Sequence, residues 1–549
     1  MSFLKGYKPI NYIFGFLYSL AIVLGFQCEY FGEIDLKSWK AYLFFVLIFA
    51  IATVFSKLMW DLICERANSK HEEKTLSAKK DRTWLISSII IWVGNFIVFL
   101  GEYPGFFTYD ALDELNEVVT RTFSNQYPML HVLSLGGTIQ AVHKITGNYN
   151  ISIAIFILFQ MSIIAVALGY LVKTLHDDGL GKIGSVIFSI YLGVFPVLCM
   201  YSLCSSKDGI FGAVLLITVI YLRKMLLDFR AFWKSKKDII ILTISSVLMM
   251  LLRSNGVYAF GVFAVVLLIF FVIKSAKYGR QEKALKRVLM YIIVSVAAFF
   301  VINKGLLLAT GASSVGHREI LTVPIQQLAR VYCYDDETLS VEDKEIIKKY
   351  IPEEAINRYN PKCSDGVKID FDELSFMNDK AGFFRIWLKT GCSHPVAYLD
   401  ALCMTGYGMW YPQAMLDGYK GNEVYTFTYG DSSYFGYEVE PPGNRESLIP
   451  IIDRFYRWLS LDGTIHRIPI VRFIFSPGFW LWAYIFVLGY FIYSKQSKKA
   501  LAYTLPFVVI LTCFIGPMSL VRYAFYLWYF VPMAVMDVHF ENKKTEMSK

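Results

Sequence analysis

Long apolar runs recur along this chain and are separated by shorter polar stretches. A helix that crosses a bilayer needs roughly 20 consecutive, mostly apolar residues, and many of the runs approach that length. The first run lacks a small-residue cleavage site, and we interpret it as a retained helix rather than a signal peptide. The pattern predicts about twelve membrane spans, which lie near residues 10–26, 41–60, 83–101, 150–173, 183–203, 208–223, 238–252, 256–274, 287–305, 471–493, 500–516 and 520–537.

The composition agrees with this pattern. Of the 549 residues, 55% are hydrophobic and only 18% are charged, against roughly 25% charged residues in soluble proteins. We therefore predict an all-α polytopic protein of the cell membrane, in contact with the lipid bilayer. The net charge of +9 does not indicate nucleic acid as a partner, because the Lys and Arg residues lie mostly in short loops between the apolar runs, as positive-inside topology requires.

Basic loops fix the predicted sidedness. Loops rich in Lys and Arg stay in the cytoplasm, and such loops lie at residues 66–82, 223–237 and 274–287, with shorter basic stretches later in the chain. Both termini are then cytoplasmic. Only one crossing fits between residues 102 and 182, so the fairly apolar stretch 129–146 is predicted to be an amphipathic helix on the outer surface.

Four regions follow from this topology. Residues 1–82 form an N-terminal transmembrane hairpin with a basic cytoplasmic loop, and residues 83–305 form a transmembrane core with an acidic outer loop at 102–149. Residues 306–470 are too polar for the membrane and too long for a simple loop, which predicts an extracytoplasmic segment. Residues 471–549 hold the last spans and a short cytoplasmic tail.

The extracytoplasmic segment gives two further expectations. Residues 383–388 and 396–404 have the character of helical pieces that lie along the membrane. Cys333, Cys363 and Cys392 also fall in this segment, where the sequence leaves both a disulfide and unpaired thiols open. The chain shows no CxxC pair and no dense His or Asp cage, so we predict no metal site.

The acidic loop carries four carboxylates at helical spacing, which are Asp110, Asp113, Glu114 and Glu117. An i, i+3, i+4, i+7 pattern places all four on one helix face. A solvated acidic face explains the last three equally well. Asp110 directly follows Tyr109 and other aromatic residues at the membrane surface, where an unpaired carboxylate costs more free energy. Asp110 is therefore our candidate general base.

Cations map to the same outer side, where positive-inside topology disfavours them. The polar residues placed there are Lys207 with Asp208, Arg253 with Asn255, Arg318 and Arg522. A guanidinium matches a phosphate in a bidentate way, so their convergence indicates an anionic partner such as a lipid phosphate. The simpler alternatives are that Lys207 and Asp208 neutralise each other and that each Arg is a helix-end side chain that reaches the interface.

His131 opens the predicted surface helix, where it either binds substrate or simply lies at the interface. Together these residues offer a base, several cations and aromatic rings on one face of the membrane. This set fits group transfer from a lipid-linked phosphate, in which the base removes a proton from an acceptor hydroxyl and the cations stabilise the departing phosphate.

The order of these motifs resembles the GT-C glycosyltransferases, which are membrane enzymes that use polyprenyl-phosphate sugars. The resemblance rests on Tyr109-Asp110 after the first core helix, on Tyr127-Pro128-Met129-Leu130 before the surface helix, and on Lys207-Asp208 at a later outer helix. Four further stretches resemble a poorly characterised branch from Gram-positive bacteria, and these are Tyr103-Pro104-Gly105, Arg253-Ser254-Asn255-Gly256, Pro324-Ile325-Gln326-Gln327-Leu328-Ala329-Arg330 and Arg522-Tyr523.

The resemblance implies a GT-C-like helical bundle and a glycosyltransferase with Asp110 as its base. It implies a polyprenyl-phosphate-linked sugar donor, a glycan, lipid or protein of the cell envelope as acceptor, an active site on the extracytoplasmic side, and no cofactor. The residues implied to bind substrate are Tyr109, Asp113, Glu114, His131, Lys207, Asp208, Arg253, Asn255, Arg318, Gln326, Arg522 and Tyr523.

Two other functions compete with this one. A transporter or flippase for a lipid-linked saccharide would also place polar residues near helix ends, but such proteins usually show two related halves and helices broken within the membrane. The main candidate for a kink is Pro196. A non-catalytic scaffold or sensor that kept the fold is the other alternative, because fold does not fix function.

Overall fold

The computed structural model describes residues 6–69, 82–278, 282–314, 316–414, 439–462 and 468–540. Within these ranges the chain forms helices and isolated β-bridges, without a strand. The apolar runs of the sequence become helices because every backbone polar group in a bilayer must find its hydrogen bond within its own segment. The all-α class predicted from the sequence is confirmed.

Thirteen helices precede residue 320. They are α1 Pro9–Tyr30, α2 Trp39–Ser69, α3 Thr83–Gly101, α4 Ala111–Thr120, α5 Met129–Thr146, α6 Tyr149–Asp178, α7 Lys182–Val194, α8 Pro196–Leu203, α9 Asp208–Leu227, α10 Phe229–Phe232, α11 Lys236–Leu252, α12 Ser254–Tyr278 and α13 Glu282–Thr310.

A further thirteen follow in the described part of the chain. They are α14 Thr322–Tyr334, α15 Val341–Tyr350, α16 Glu353–Ile356, α17 Asp365–Lys368, α18 Glu373–Asn378, α19 Lys380–Ser393, α20 Pro395–Trp410, α21 Pro450–Arg457, α22 Pro469–Phe475, α23 Pro477–Tyr493, α24 Ser497–Ala502, α25 Thr504–Cys513 and α26 Leu527–Phe540. Short 3-10 turns at Asp336–Thr338 and Val521–Tyr523 and a π turn at Trp458–Asp462 complete the elements.

The described helices make this a membrane-embedded protein. Seven of them, α1, α2, α3, α6, α9, α12 and α13, are long and apolar enough to cross a bilayer alone. The pairs α7–α8 and α22–α23 pass the same test together, but they bend by 58° and 68°. Each bend lies where a proline starts the second helix, because proline removes a backbone donor and clashes with the preceding turn. The kink predicted at Pro196 is confirmed.

Three of the twelve predicted spans are shorter helices. The span near 238–252 is α11, with 17 residues. The span near 500–516 is divided between α24 and α25, and the span near 520–537 is α-helical only from Leu527. The described chain therefore has seven to nine helices that satisfy the length and hydropathy requirement, and the count of twelve stays a prediction, as does the sidedness.

The stretch 129–146 forms helix α5. Pro128 precedes its first turn, and Gly147, with φ +63°, ends it in the left-handed conformation that glycine adopts without strain. Met129, Val132 and Ile139 are buried, and the helix packs against α4 and α6. The helix is confirmed, while its position on the outer membrane surface remains a prediction.

Residues 321–398 build a second hydrophobic core, separate from that of the membrane helices. Its members include Leu328, Tyr350 and Phe383. Helix α20 joins the two cores, because Tyr398 near its start belongs to the second core and Tyr407 near its end belongs to the first. The predicted helical pieces at 383–388 and 396–404 lie in α19 and α20. Cys333, Cys363 and Cys392 all lie among the described residues, and no disulfide links them.

Helix α9 is held by charged groups at its C-terminal end. The Arg223 Nε atom donates to Asp537 Oδ2 at 2.6 Å, and the Arg223 Nη2 atom lies 2.8 Å from Asp178 Oδ2. The Tyr503 hydroxyl donates to the same Asp537 oxygen at 2.8 Å. These contacts tie α9 to α6 and α26, and they satisfy buried charges that would otherwise be costly.

Candidate functional site

The acidic loop and a turn from another helix are held together by their backbones. Residues 102–110, called the 102–110 loop below, connect α3 to α4. Phe106 N donates to Leu203 O at 3.0 Å, and Ser205 N donates to Phe106 O at 2.9 Å. Thr108 N donates to Ser205 Oγ at 3.3 Å. Because Asp110 and Lys207 each lie two residues beyond these contacts, the pairing places their side chains beside each other.

Helix α6 supports the turn that precedes Lys207. The Gln160 Nε2 atom donates to Ser202 O at 3.1 Å and to Cys204 O at 2.6 Å, and Gln160 is fully buried. One side-chain amide therefore satisfies two carbonyl oxygens at the break between α8 and α9. Without it those carbonyls would be buried without a partner.

Asp110 is held by two cations. Its Oδ2 atom accepts a hydrogen bond from Lys207 Nζ at 2.5 Å and lies 3.4 Å from Arg522 Nη1. These three residues come from the 102–110 loop, the start of α9 and the 3-10 turn before α26. About a quarter of the Asp110 side chain is exposed, 23%, whereas the Lys207 and Arg522 side chains are 13% and 9% exposed. The carboxylate therefore forms the accessible end of the pair.

Tyr109 adopts an unusual backbone conformation beside this carboxylate. Its φ of +62° lies in the left-handed region, which costs a residue with a side chain roughly 1–2 kcal/mol. The Arg522 guanidinium lies 4.4 Å from the centre of the Tyr109 ring, and a cation over a ring face is attracted to it. The strained residue thus aligns the start of α4 and supports Arg522 at the same time.

Asp208 joins two of the candidate arginines. It forms an ion pair with Arg253 Nη1, and its Oδ2 atom lies 3.9 Å from Arg522 Nε. The Tyr523 ring lies 5.0 Å from the Arg253 guanidinium and 5.2 Å from that of Arg522. The positive charges of Lys207, Arg253 and Arg522 therefore converge on one cluster, as the sequence led us to expect.

Glu114 and His131 lie at the buried end of the cluster. His131 Nδ1 is 2.5 Å from Glu114 Oε2, and both side chains are fully buried. Glu114 Oε1 lies 3.9 Å from Lys207 Nζ. We predicted both residues to bind substrate, and the structure places them behind Lys207, where they support that cation from α4 and α5.

The exposed rim contains Asp113 and Tyr127. The Tyr127 hydroxyl donates to Asp113 Oδ2 at 2.7 Å, and Lys207 Nζ lies 5.3 Å from the centre of the Tyr127 ring. Asp113 is exposed and Tyr127 is half-buried. A tyrosine and an acid thus flank the accessible side of the Asp110–Lys207 pair.

Three candidates make their contacts elsewhere. The Asn255 Nδ2 atom donates to Thr512 Oγ1 at 3.0 Å, which joins the first turn of α12 to α25. The Arg318 Nη1 atom donates to Ile369 O at 3.0 Å, and the Gln326 Nε2 atom donates to Asn360 O at 2.7 Å. Arg318 and Gln326 therefore bind the polypeptide of the 321–398 region.

The cations determine the charge of Asp110. Burial raises the pKa of this carboxyl, but the charges of Lys207 and Arg522 outweigh burial and hold its pKa well below the usual range. Burial likewise lowers the pKa of Lys207, and the charges of Asp110 and Glu114 outweigh it, so that this pKa is raised. Both groups are charged at neutral pH in the free protein.

The structure adds residues that the sequence did not single out. Arg445 and Glu440 bind the backbone and Thr108 of the 102–110 loop, and Ser205 links that loop to the turn before Lys207. These partners are distant in sequence, and their contacts are mostly to backbone atoms, which leave no residue pattern to recognise.

Among the residues that the structure describes, no group of three or more His, Cys, Asp or Glu side chains is arranged to hold a metal ion. The cluster contains Lys207, Arg253 and Arg522 beside Asp110, Glu114 and Asp208. Its cations suit an anion better than a metal, because a bound anion would share the charges that the carboxylates now occupy.

Comparison with known protein families gives a match to this chain. A family model described as "Family of unknown function (DUF6020)" matches residues 119–549, which is well over half of the chain. The match includes Lys207, Asp208, Arg253 and Arg522 and begins after Asp110. No curated protein and no solved structure matches the chain.

Proposed function

Because the chain belongs to the DUF6020 family, whose description gives no reaction, we propose a function from the site alone. The protein is a membrane glycosyltransferase that moves a sugar from a polyprenyl-phosphate donor to a cell-envelope acceptor on the outer face. The observation that supports this proposal most directly is the contact of Asp110 Oδ2 with both Lys207 and Arg522. A carboxylate and two cations at one accessible place can remove a proton and hold a phosphate.

The reaction would be a single inverting displacement. Asp110 removes the proton from an acceptor hydroxyl, and the oxygen of that hydroxyl attacks the anomeric carbon of the sugar. The bond between that carbon and the phosphate oxygen breaks, and its electron pair stays on the phosphate, which leaves as polyprenyl phosphate. Lys207 and Arg522 stabilise the charge that develops on the leaving oxygen, with Arg253 behind them.

The low pKa of Asp110 gives this reaction an order of binding. An acid whose pKa lies well below the working pH is a weak base. A donor phosphate that binds to Lys207 and Arg522 would take their charges from Asp110, and the pKa of Asp110 would then rise. The carboxylate would become an effective base only after the donor is bound.

The rim residues suit a sugar. The Tyr109 ring lies beside Arg522 and the Tyr127 ring lies beside Lys207, and aromatic rings offer sugars an apolar face with a polar edge. Asp113, which accepts from the Tyr127 hydroxyl, presents a carboxylate to sugar hydroxyls at the exposed side.

The test is the substitution Asp110→Asn, which keeps the shape of the side chain and removes the base. We expect transfer from a radiolabelled polyprenyl-phosphate sugar to an envelope extract to fall by about 100-fold or more, with an unchanged elution profile of the purified protein. Asp177→Asn is the matched control, because Asp177 is also paired with a lysine but lies at the exposed end of α6. Full activity in Asp110→Asn would show that Asp110 is not the base.

One observation favours transport as an alternative. The 58° bend between α7 and α8 lies one short helix before the turn that carries Lys207, and helices broken within the membrane are typical of transporters. Vesicles reconstituted with the purified protein and a fluorescent lipid-linked saccharide separate the two functions. Movement of the lipid between leaflets without sugar transfer would favour the transporter.

A further inference from the structure

Residues 439–448, called the 439–448 segment below, run along one side of the 102–110 loop. Glu440 N donates to Phe107 O at 2.7 Å, Glu446 N donates to Tyr103 O at 2.9 Å, and Leu448 N donates to Leu100 O at 2.9 Å. The segment therefore follows the loop from the end of α3 almost to Asp110. It covers the side of the loop opposite to its pairing with residues 203–205.

Arg445 makes the densest set of contacts in this segment. Its Nη1 atom donates to Glu102 O and, at 3.0 Å, to Gly105 O, and it lies 3.0 Å from Glu102 Oε2. The guanidinium also lies 4.8 Å from the centre of the Phe106 ring. One side chain thus binds both ends of the turn at residues 102–105 and the ring that follows it.

The 439–448 segment is itself anchored to a membrane helix. Asn444 N donates to Asn150 Oδ1 at 2.8 Å, and Asn150 Nδ2 donates back to Asn444 O at 2.9 Å. Asn150 lies in the first turn of α6, the helix whose Gln160 supports the turn before Lys207. Arg445 therefore connects the loop that carries Asp110 to the same scaffold that holds Lys207.

We propose that Arg445 is a positioning residue that holds the 102–110 loop, and with it Asp110, in register with Lys207. Its described contacts are with the loop and with Asp453, so it acts through the loop. The inference rests on the proposed function for its kinetic consequence, and its structural consequence is independent of that function. A displacement of about 1 Å at a reacting group reduces rates by roughly 100-fold.

The experiment compares the wild-type protein with Arg445→Lys and Arg445→Ala. Lysine keeps the positive charge but has a single compact donor group in place of the planar fork. The control is Arg454→Lys, because Arg454 lies in α21 and is exposed. Among the described residues, its side chain donates a hydrogen bond to Pro450 O of its own helix, at 3.4 Å. All four proteins are purified in detergent and checked for an unchanged elution profile.

Hydrogen exchange measured by mass spectrometry gives the first readout. In Arg445→Lys we expect the peptides that cover residues 102–110 and 203–206 to exchange at least about tenfold faster. Peptides from α12 and α26 should exchange as in the wild type. If Arg445→Ala does not yield folded protein, Arg445→Lys alone decides the result. Unchanged exchange of the loop in every folded Arg445 variant would overturn the proposal.

Kinetics give the second readout. We expect Arg445→Lys to lower kcat by about 10- to 100-fold while KM for the polyprenyl-phosphate donor stays within about threefold. The cations that would hold the phosphate keep contacts outside the loop, because Asp208 pairs with Arg253 and lies 3.9 Å from Arg522. A rise in KM with an unchanged kcat would show that Arg445 binds substrate, and it would overturn the positioning role.

The two readouts separate this inference from the proposed function. Faster loop exchange in Arg445→Lys together with no sugar transfer in the wild-type protein would support the positioning role and reject the glycosyltransferase. Normal transfer in the wild type together with unchanged loop exchange in Arg445→Lys would reject the positioning role alone.

Discussion

At Asp110, one carboxylate oxygen contacts two cations that are far apart in the sequence, Lys207 and Arg522. Such an arrangement fixes the side chain and keeps it ionised, and both effects weaken it as a base until another anion takes the cations. In the proposed reaction the pair would have a dormant form without the donor phosphate and an active form with the donor phosphate bound.

This dependence predicts a difference between two pH profiles. The pKa of Asp110 is held well below its usual range in the free protein, so kcat/KM, which reports the free enzyme, should show no acid limb from Asp110 above about pH 4. The profile of kcat, which reports the donor complex, should show an acid limb at higher pH. The measurement is transfer at saturating and limiting donor from pH 4 to 9.

A control identifies the group behind any limb near neutral pH. Glu102 lies in the same loop, and burial raises the pKa of its carboxyl to about 7. A limb near pH 7 that disappears in Glu102→Gln belongs to Glu102. An acid limb of kcat/KM above about pH 4 that persists in Glu102→Gln would contradict the low pKa of Asp110.

Glu102 gives a second prediction at the scale of one residue. Burial raises the pKa of this carboxyl to about 7, against the opposing charge of Arg445. Because the folded pKa is raised, the folded protein holds the proton more tightly than the unfolded chain, and stability is lost as the pH rises from about 4.5 through about 7. Over this pH range the free energy of unfolding of the wild type should fall by up to about 3 kcal/mol. Glu102→Gln is neutral at every pH and should not show this fall.

Thermal unfolding in detergent at pH 5 and pH 8 measures this effect. The fall in Tm between the two pH values should be larger for the wild type than for Glu102→Gln. Glu33→Gln is the control, because Glu33 is exposed in the loop between α1 and α2, and its pH response should match the wild type. Equal Tm shifts in all three proteins would refute a buried, titrating Glu102.

The site residues that could be identified from the sequence are charged residues at positions where a charge is unfavourable. Asp110, Lys207 and Arg522 were selected because charged groups are disfavoured at the outer membrane edge, and the structure brings them together. Arg318 was selected on the same ground and Gln326 by motif, and both bind elsewhere. Arg445 escaped notice because it binds carbonyl oxygens, which every residue has.

At the scale of elements, helix ends build the site. The break between α8 and α9 exposes the carbonyl oxygens of residues 202 and 204, and Gln160 of α6 binds both. Long uninterrupted helices were predictable from hydropathy alone. The division of this region into the short helices α24 and α25 was not predictable from hydropathy. The chain turns at Tyr503, which is fully buried, and only the packing of that side chain shows the position of the turn.

Gln160→Leu tests the support of that turn. The substitution keeps the volume of the side chain and removes the donor, leaving two buried carbonyls without their partner at a cost of about 1–3 kcal/mol. We expect a lower Tm and a drop in transfer of about tenfold, because Lys207 would shift away from Asp110.

The matched control for that variant is Gln27→Leu. Gln27 is also buried and donates to one carbonyl oxygen, Asp35 O, at 3.2 Å in the N-terminal hairpin. It should lower Tm without reducing transfer. Equal losses of transfer in both variants would mean that general destabilisation, rather than the turn, governs activity.

At the scale of the whole molecule, sidedness is the property that every part of the proposed function needs. The segment that we predict to be extracytoplasmic carries two exposed native cysteines, Cys333 and Cys392. In intact cells we expect a membrane-impermeant maleimide to label the wild-type protein at both positions.

The Cys333→Ser, Cys392→Ser double variant is the control, since its remaining cysteines are mostly buried. It should lose nearly all of the label. Labelling of the wild type only after the cells are permeabilised would place the segment in the cytoplasm, and it would move Asp110 to the wrong face for an exoplasmic donor.

Helix α9 carries Lys207 and Asp208 at one end and Arg223 at the other, and Arg223 is bound to Asp178 and Asp537. A 20-residue helix is about 30 Å long, close to the thickness of the hydrocarbon layer. Anchored by ion pairs at both ends, it can neither tilt nor slide without breaking one of them. Lys207, which would bind the donor phosphate in the proposed reaction, is therefore held in a fixed position. An opening that admits a lipid donor would then have to come from the elements around α9.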